Sequence, residues 1–297
     1  MTIGSLDEFD LGRRLQPASN QSLILRIRGA TVHIAAVNAD ERVGVGSGFI
    51  VRIAPPARGY LPDYVLVTAR HNIDGAISRN AEVRVTLQYR QFDQTKAATI
   101  TIGALGWYHS RSHDVAIASV PIDTLIEAPT MDALEPSLLM RELPWLRPVE
   151  SYVFGRVDVG ESELTLVRTA SMPSNERVRV RLENWQRSLP VLLLEGIVTP
   201  GMSGGPVLTT TGSGIIENAV IGLVHGYATP DPAIAFTADP ELGPDVLRRR
   251  LLAMNRELLA RRQHLVYVVP SGFIVEAISD WLRILYPDRD TALVMSE

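Results

Sequence analysis

The chain contains no cysteine, which excludes disulfide bonds, thiolate metal sites and a thiol nucleophile. It also lacks any run of about 18 uninterrupted apolar residues, so no membrane-spanning helix is expected. Residues 1–14 carry acidic side chains and have no apolar stretch with a cleavage site, so they do not resemble a secretory signal peptide. Because the absence of disulfides fits a reducing compartment, we expect a cytoplasmic protein.

The chain also has no strong excess of either charge. Its 29 basic and 33 acidic residues give a net charge of −4, which offers no reason to expect nucleic acid or an acidic membrane as a partner. The length of 297 residues and a hydrophobic share of 46% are ordinary for a globular protein with one large domain or two small ones.

Short runs rich in β-branched residues, separated by Gly, Pro, Asn and Asp, make up most of the chain. Fourteen such runs predict a sandwich or a barrel, and the rarity of long helical periods argues against alternating strands and helices. The predicted strands are 22–28, 31–37, 48–53, 64–68, 82–88, 98–102, 115–120, 151–157, 164–170, 177–182, 191–194, 207–210, 220–224 and 265–269.

Segment 128–150 carries four prolines that are too closely spaced for a regular element, and we interpret it as a linker. Seven predicted strands precede it and seven follow it, which indicates two all-β units of similar size. Apolar residues recur at helical spacing in segments 244–264 and 274–286, which predicts a helix in each.

The sharpest chemical signal is the run Gly201-Met202-Ser203-Gly204-Gly205-Pro206. Glycines on both sides of a serine permit a tight turn with unusual φ, which exposes the hydroxyl and aims backbone N–H groups at one point. An oxyanion would form at that point during acyl transfer. The alternative interpretation is a glycine-rich surface turn.

A serine hydroxyl needs a base, and the base needs an acceptor that fixes its tautomer. His71 follows the apolar strand 65–68, and Asp114 opens the apolar strand 115–120, where an unpaired carboxylate would be costly. His71 could instead be a structural histidine, and Asp114 a turn or capping residue. Asp63 and Asp74 are rival carboxylates that lie closer to His71 in sequence.

These segments resemble those of trypsin-like serine peptidases, the family that includes chymotrypsin and the HtrA-type bacterial proteases. Three motifs resemble those around the family's base, acid and nucleophile, and they occur in the family's order: Thr68-Ala69-Arg70-His71, Asp114-Val115-Ala116-Ile117 and Gly201-Met202-Ser203-Gly204-Gly205-Pro206. Further runs resemble family strands, among them Gly46-Ser47-Gly48-Phe49 before the histidine and Ile221-Gly222-Leu223-Val224 after the serine. The resemblance spans about residues 23–286.

The resemblance implies an all-β fold of two six-stranded antiparallel β-barrels with a C-terminal helix and a helical insertion. The implied regions are an N-terminal lead 1–21, a first barrel 22–127, the linker 128–150, a second barrel 151–286 and a tail 287–297. Within the second barrel we expect the insertion at 229–264 and the closing helix at 274–286.

By resemblance, the protein is a serine endopeptidase that needs no metal and no organic cofactor. His71 is then the base, Asp114 the orienting acid and Ser203 the nucleophile, while the N–H groups of Gly201 and Ser203 form the oxyanion hole. Its partner would be a protein or peptide substrate. Met202 replaces the aspartate of the digestive members, so we expect no zymogen switch that uses a new N-terminus.

The resemblance places the substrate pocket only roughly, at Ile197, Val198, Val224, His225, Gly226 and Leu265. These mostly apolar walls predict a preference for small or aliphatic side chains at the cleaved bond. His225 could instead read an acidic side chain, but its position three residues after Gly222 should turn it to the other face. In that case His225 could lie near Asp114 and tune the triad.

Two other functions remain open at this point. The serine run also matches the nucleophile elbow of α/β-hydrolases, although that elbow needs a helix after the serine and a βαβ pattern. Alternatively, the chain is a latent or partner-activated protein that acts as a regulatory binding module. Residues 2–21 and the basic helix 244–264 are the candidate control segments. We interpret the basic side of the helix as a solvated face over an apolar stripe, and the alternatives are a docking surface for an acidic protein partner or a lid over the substrate cleft.

Overall fold

The computed structural model describes residues 18–38, 41–53, 64–79, 81–91, 94–120, 130–139, 149–159, 162–172, 178–181, 188–209, 219–228, 236–237 and 264–287. Its helices are α1 Ala18–Ala30, α2 His71–Ser78 and α3 Ser271–Leu285. None of the helices in these ranges is long and apolar enough to cross a bilayer.

The first unit is a curled antiparallel sheet in the order β5-β4-β1-β2-β3-β7-β6, with β8 paired to β4. A sharp twist is expected of such a sheet, and apolar side chains line its inner face. Its strands are β1 Thr31–Asn38, β2 Glu41–Arg52, β3 Tyr64–Thr68, β4 Glu82–Gln91, β5 Gln94–Ile102, β6 Trp107–His109, β7 Ala116–Ser119 and β8 Thr130–Met131.

The second unit closes on itself. Strands β9, β13, β14, β16, β12 and β10 pair in that order, and β10 pairs back to β9, which makes a six-stranded antiparallel barrel. Strands β11 and β15 extend from β12. The strands are β9 Val149–Val159, β10 Ser162–Met172, β11 Val178–Arg181, β12 Ser188–Gly196, β13 Pro206–Thr209, β14 Ala219–Ala228, β15 Phe236–Thr237 and β16 His264–Pro270.

The all-β class with two antiparallel units and a C-terminal helix is therefore confirmed. The named strand pairings are all antiparallel, and strand β13 follows Ser203 directly, which rules out the strand–serine–helix arrangement of an α/β-hydrolase elbow. The region limits stay predictions. Residues 1–17 and the tail residues 288–297 lie outside the described residues. So does the helix predicted at 244–264 except for its last residue, His264, which instead begins strand β16.

Strand alternation distributes the apolar side chains among three cores. In β2, Ile50 faces the interior of the first unit, whereas Phe49 and Val51 face a shared core between the units. In β9, Val153 faces the barrel interior, whereas Tyr152 and Phe154 face the same shared core. Helix α3 closes this shared core, and its contribution includes Ile274, Ile278, Trp281 and Leu282.

One strand prediction is wrong. Residues 22–28 belong to helix α1, where Ile24 and Ile27 are buried and Leu25 and Arg26 are exposed. Burial of residues three positions apart is typical of a helix. The run was predicted as a strand because its composition is typical of strands. Helix α2 was also missed, since eight residues are too few for a periodic signal. Helix α3 begins at Ser271, three residues before the predicted start.

Candidate active site

His71 and Asp114 meet because β3 and β7 are neighbouring strands. Strand β3 ends at Thr68, and after a short turn His71 opens helix α2, while Asp114 lies two residues before β7. His71 Nδ1 is 2.7 Å from Asp114 Oδ2. The Asp114 side chain is fully buried, whereas the His71 side chain is 32% exposed, so solvent reaches the imidazole but not the carboxylate.

Asp114 also stabilises the start of helix α2. Its Oδ1 accepts a hydrogen bond from the His71 backbone N–H at 3.0 Å, which satisfies one of the free amides at the helix N-terminus. The two predictions for Asp114, a helix-capping role and a contact with the imidazole, therefore describe the same carboxylate. Because Asp114 holds His71 through both the backbone and the ring, the orientation of the imidazole is tightly defined.

Ser203 completes the chain of hydrogen bonds from the second unit. Its Oγ is 2.7 Å from His71 Nε2 and also 2.7 Å from the carbonyl oxygen of His225. The turn that presents Ser203 requires positive φ at Gly201 (+92°) and Gly204 (+87°). Met202 between them is fully buried in the barrel core, which anchors the turn.

The first unit holds the serine turn by its backbone. The Ser203 carbonyl accepts hydrogen bonds from the Ser47 N–H at 2.7 Å and from Asn72 Nδ2 at 2.8 Å. Ser47 Oγ donates to the Gly201 carbonyl at 2.6 Å. Within the described part of the chain, the N–H groups of Gly201 and Ser203 donate to no other group, which leaves both available to an incoming acceptor.

These contacts shift the pKa values of the acid and the base in opposite directions. Burial lowers the pKa of His71, but the charge and hydrogen bond of Asp114, together with the charge of Asp74, raise it above its ordinary value. Burial raises the pKa of Asp114, but the charge of His71 and hydrogen bonds from both His225 and His71 hold it well below its ordinary value. Asp114 is therefore a stable anion beside an imidazole that readily accepts a proton.

The residues predicted to line the pocket do not form a single surface. Val198 and Val224 belong to the barrel core, and Leu265 is buried as well. Ile197 is 49% exposed. At Gly226 an added Cβ would meet no atom within 4 Å, so open space lies beside it. The specificity that these positions would give stays a prediction.

His225 turns its ring toward the triad. Its Nδ1 contacts Asp114 Oδ2 directly, and its ring meets that of His71 edge to face with centroids 4.8 Å apart. Of the two orientations that the sequence left open for His225, the one near Asp114 is found. The rival carboxylate Asp74 pairs with Arg70 at 3.1 Å and with His109 at 3.3 Å, and Asp63 lies outside the described residues.

Two groups of side chains in the described regions have donor atoms close enough to hold a metal ion. One is His71, Asp114 and His225, and the other is His33, Asp158 and Glu163; in each, the donor atoms lie within 4.8 Å of one another. In the first group, hydrogen bonds between the imidazoles and the carboxylate account for the short distances.

Ser47 and Asn72 are functional candidates that the sequence did not reveal, although Ser47 stands inside the motif Gly46-Ser47-Gly48-Phe49 and Asn72 directly follows His71. A weak signal existed, since Gly46 and Gly48 flank Ser47 and leave room for close approach. An added Cβ at Gly46 would clash with the Asn72 side chain, and one at Gly48 would lie 2.7 Å from the Val67 carbonyl. Only the contact between the two units reveals that these residues hold the serine turn.

Comparison with known proteins finds likeness in structure only. No protein-family model matches the chain, and no curated protein matches its sequence. Among solved structures, the inactive form of the Rv3671c protease is 21% identical, with a TM-score of 0.43 over 76% of this chain and 91% of that one. Its active form, from M. tuberculosis, is 20% identical, with a TM-score of 0.44 over 76% and 83%.

A serine endoprotease from Yersinia pestis is 15% identical, with a TM-score of 0.40 over 80% of this chain and 68% of that one. All three solved structures are of proteases.

Proposed function

We propose that this protein is a serine endopeptidase that cleaves peptide bonds through an acyl-enzyme. The observation that carries the proposal is the unbroken chain of contacts from Asp114 through His71 to Ser203, with 2.7 Å at each step. A surface turn or a structural histidine would not require a buried carboxylate, a partly exposed imidazole and a hydroxyl in this order.

In the proposed acylation step, Ser203 Oγ attacks the carbonyl carbon of the substrate while its proton passes to His71 Nε2. The Asp114 carboxylate holds the Nδ1 proton and stabilises the imidazolium that forms. The tetrahedral intermediate collapses as the C–N bond breaks, and His71 gives its proton to the departing amine. Water then attacks the acyl-enzyme by the same route and restores Ser203.

The N–H groups of Gly201 and Ser203 would meet the oxyanion, in agreement with their lack of other acceptors in the described chain. We further propose small or aliphatic residues at the cleaved bond, because Ile197 offers an exposed apolar side chain and Gly226 leaves open space near the serine. The proposed partner is a protein or peptide chain.

The first test is labelling of the purified protein with a fluorophosphonate probe, followed by mass spectrometry of the modified peptide. The wild type should carry the probe on Ser203, and Ser203→Ala and His71→Ala should each abolish labelling. Two matched controls should label like the wild type: Ser112→Ala removes an exposed hydroxyl, and His109→Ala removes an imidazole that pairs with Asp74.

Modification of another serine, or labelling that survives Ser203→Ala, would contradict the proposal. A folded wild type that takes up no probe would favour the alternative of a latent, partner-activated protein. Cleavage of a mixed peptide library by unlabelled wild-type protein, with Ser203→Ala as the inactive control, tests the preference for Ala, Val or Leu before the cleaved bond.

A further inference from the structure

His225 makes a second imidazole contact to the proposed acid. Its Nδ1 bonds the same Asp114 oxygen, Oδ2, that His71 Nδ1 bonds at 2.7 Å. The other oxygen, Oδ1, accepts from the His71 backbone N–H. The carboxylate thus has three donors, and one of them comes from the second unit, where the side chain of His225 is only 12% exposed.

His225 lies at an irregularity in strand β14. Val224 pairs with Val268 and Gly226 pairs with Tyr267, so His225 is an extra residue in β14 without a partner on β16. Leu223 packs in the shared core and Val224 in the barrel core, so alternation turns the side chain of His225 to the side of the shared core, where it meets Asp114. The imidazole of His225 is therefore directed at the acid.

We infer that His225 is a positioning residue: its Nδ1–H holds the Asp114 carboxylate so that the carboxylate fixes the ring of His71. This inference rests on the proposed function. A carboxylate oxygen that accepts from two Nδ1 atoms requires a proton on each of them. His71 then has its Nε2 free of a proton and able to accept the Ser203 proton. Without the His225 donor, the buried Asp114 carboxylate would lack one of its hydrogen bonds and could reorient.

The backbone of residue 225 has a separate contact with the nucleophile. Ser203 Oγ lies 2.7 Å from the His225 carbonyl oxygen, and this contact does not depend on the side chain. Substitution of His225 consequently isolates the contribution of the imidazole at Asp114. Three replacements separate the position of the donor from the bulk of the side chain.

In His225→Asn the amide nitrogen is as far along the side chain as Nδ1, so the donor is kept in place. In His225→Gln the amide nitrogen lies one bond further out, and His225→Leu has similar bulk with no donor. We expect the rate of fluorophosphonate labelling, per folded protein, to fall about 10- to 100-fold in the Leu and Gln variants, which is the effect of losing one hydrogen bond to a charged group. The Asn variant should stay within about threefold of the wild type.

Thermal unfolding of each variant gives the folded fraction, so the rates can be compared on an equal basis. A purely structural role would lower the stability of all three variants without separating Asn from Gln. Wild-type labelling of the Leu variant would overturn the inference, and so would an Asn variant as slow as the Leu variant.

A readout that needs no catalysis separates this inference from the proposed function. In ¹⁵N-histidine-labelled Ser203→Ala protein, we expect two downfield Nδ1–H resonances, one from each imidazole bonded to Asp114. Adding His225→Asn should remove one and leave the His71 signal in place, whereas His225→Leu should also displace the His71 signal. If this pattern appears but the wild type takes up no probe, the peptidase proposal fails and the positioning role stands. Identical His71 signals in the Asn and Leu proteins would overturn the positioning role alone.

Discussion

Among the described residues, two clusters of histidine and carboxylate join the units of this protein, and one of them has the geometry of a reactive site. In the first, one ring nitrogen of His71 forms a hydrogen bond with Asp114, and the other forms a hydrogen bond with the Ser203 hydroxyl. In the second, His33 of β1 faces Asp158 of β9 at 3.5 Å and Glu163 of β10 at 3.4 Å, one carboxylate for each ring nitrogen.

The two histidines differ in whether a ring nitrogen is placed to accept a proton from a hydroxyl. Both ring nitrogens of His33 point at acceptors, so neither is placed to take a proton from a hydroxyl, and its side chain is 2% exposed. The guanidinium of Arg156, which is also buried, adds a third charge 3.1 Å from Glu163. A histidine beside a carboxylate is thus not in itself a sign of catalysis, whereas a partly exposed imidazole whose Nε2 meets a hydroxyl has the geometry of a general base.

Of the substitutions that test this difference, Asp114→Asn should have the largest effect on the rate of the reaction. An amide in place of the carboxylate can donate to His71 Nδ1, which moves the ring proton to Nε2 and prevents it from accepting the Ser203 proton. We expect kcat/KM for a peptide substrate to fall about 10⁴-fold while the circular dichroism spectrum is unchanged. A loss of less than about tenfold would mean that Asp114 acts mainly as the cap of helix α2.

A smaller effect should follow from pH. The base must be neutral to accept a proton, and the pKa of His71 is raised above the ordinary value of 6.5. Activity should therefore rise with pH through a midpoint above 6.5, and below that midpoint it should fall about tenfold per pH unit. Rates of probe labelling between pH 5 and 9 would measure the midpoint, with tryptophan fluorescence as the control for folding. A midpoint below 6.5 would contradict the raised pKa of His71, and a labelling rate that does not change between pH 5 and 9 would contradict the assignment of His71 as the base.

The smallest effect on the reaction should come from the second cluster. Glu163→Gln removes the carboxylate beside Arg156, and because Glu163 is partly exposed we expect a loss of only about 1–2 kcal/mol in the free energy of unfolding. Urea unfolding would measure it. Labelling of the folded protein should stay within about twofold of the wild type. A large fall in labelling would show that the two clusters are coupled.

Strand patterns revealed most of the fold because each strand carries its own signal of alternation and turn residues. Run 64–68 coincides with β3, and most of the other predicted runs overlap strands. The failures had local causes. Helix α1 has a β-like composition, helix α2 is very short, and strand β8 has two residues whose pairing depends on β4.

The three site residues could be proposed from sequence because each stands in a compact motif where backbone geometry and chemistry are set by near neighbours. The roles of Ser47 and Asn72 could not be derived in the same way, and for His225 the contact with Asp114 was only one of the two orientations left open. Each acts on a residue of the other unit, through contacts such as Asn72 Nδ2 to the Ser203 carbonyl at 2.8 Å. A pattern in the local sequence cannot predict a distance between two residues of different units.

The sequence by itself determined the β architecture, the glycine turn at Ser203 and the pairing of chemical types that a triad needs, since all of these follow from propensity and side-chain chemistry over a few residues. Only the tertiary structure decided which carboxylate pairs with His71 and where the ring of His225 points. Asp74 was closer along the chain, but β3 and β7 are neighbours in the sheet and bring Asp114 to the imidazole. Strand alternation offered the contact between His225 and Asp114 as one of two orientations, and only the packing of the two units against each other selected it.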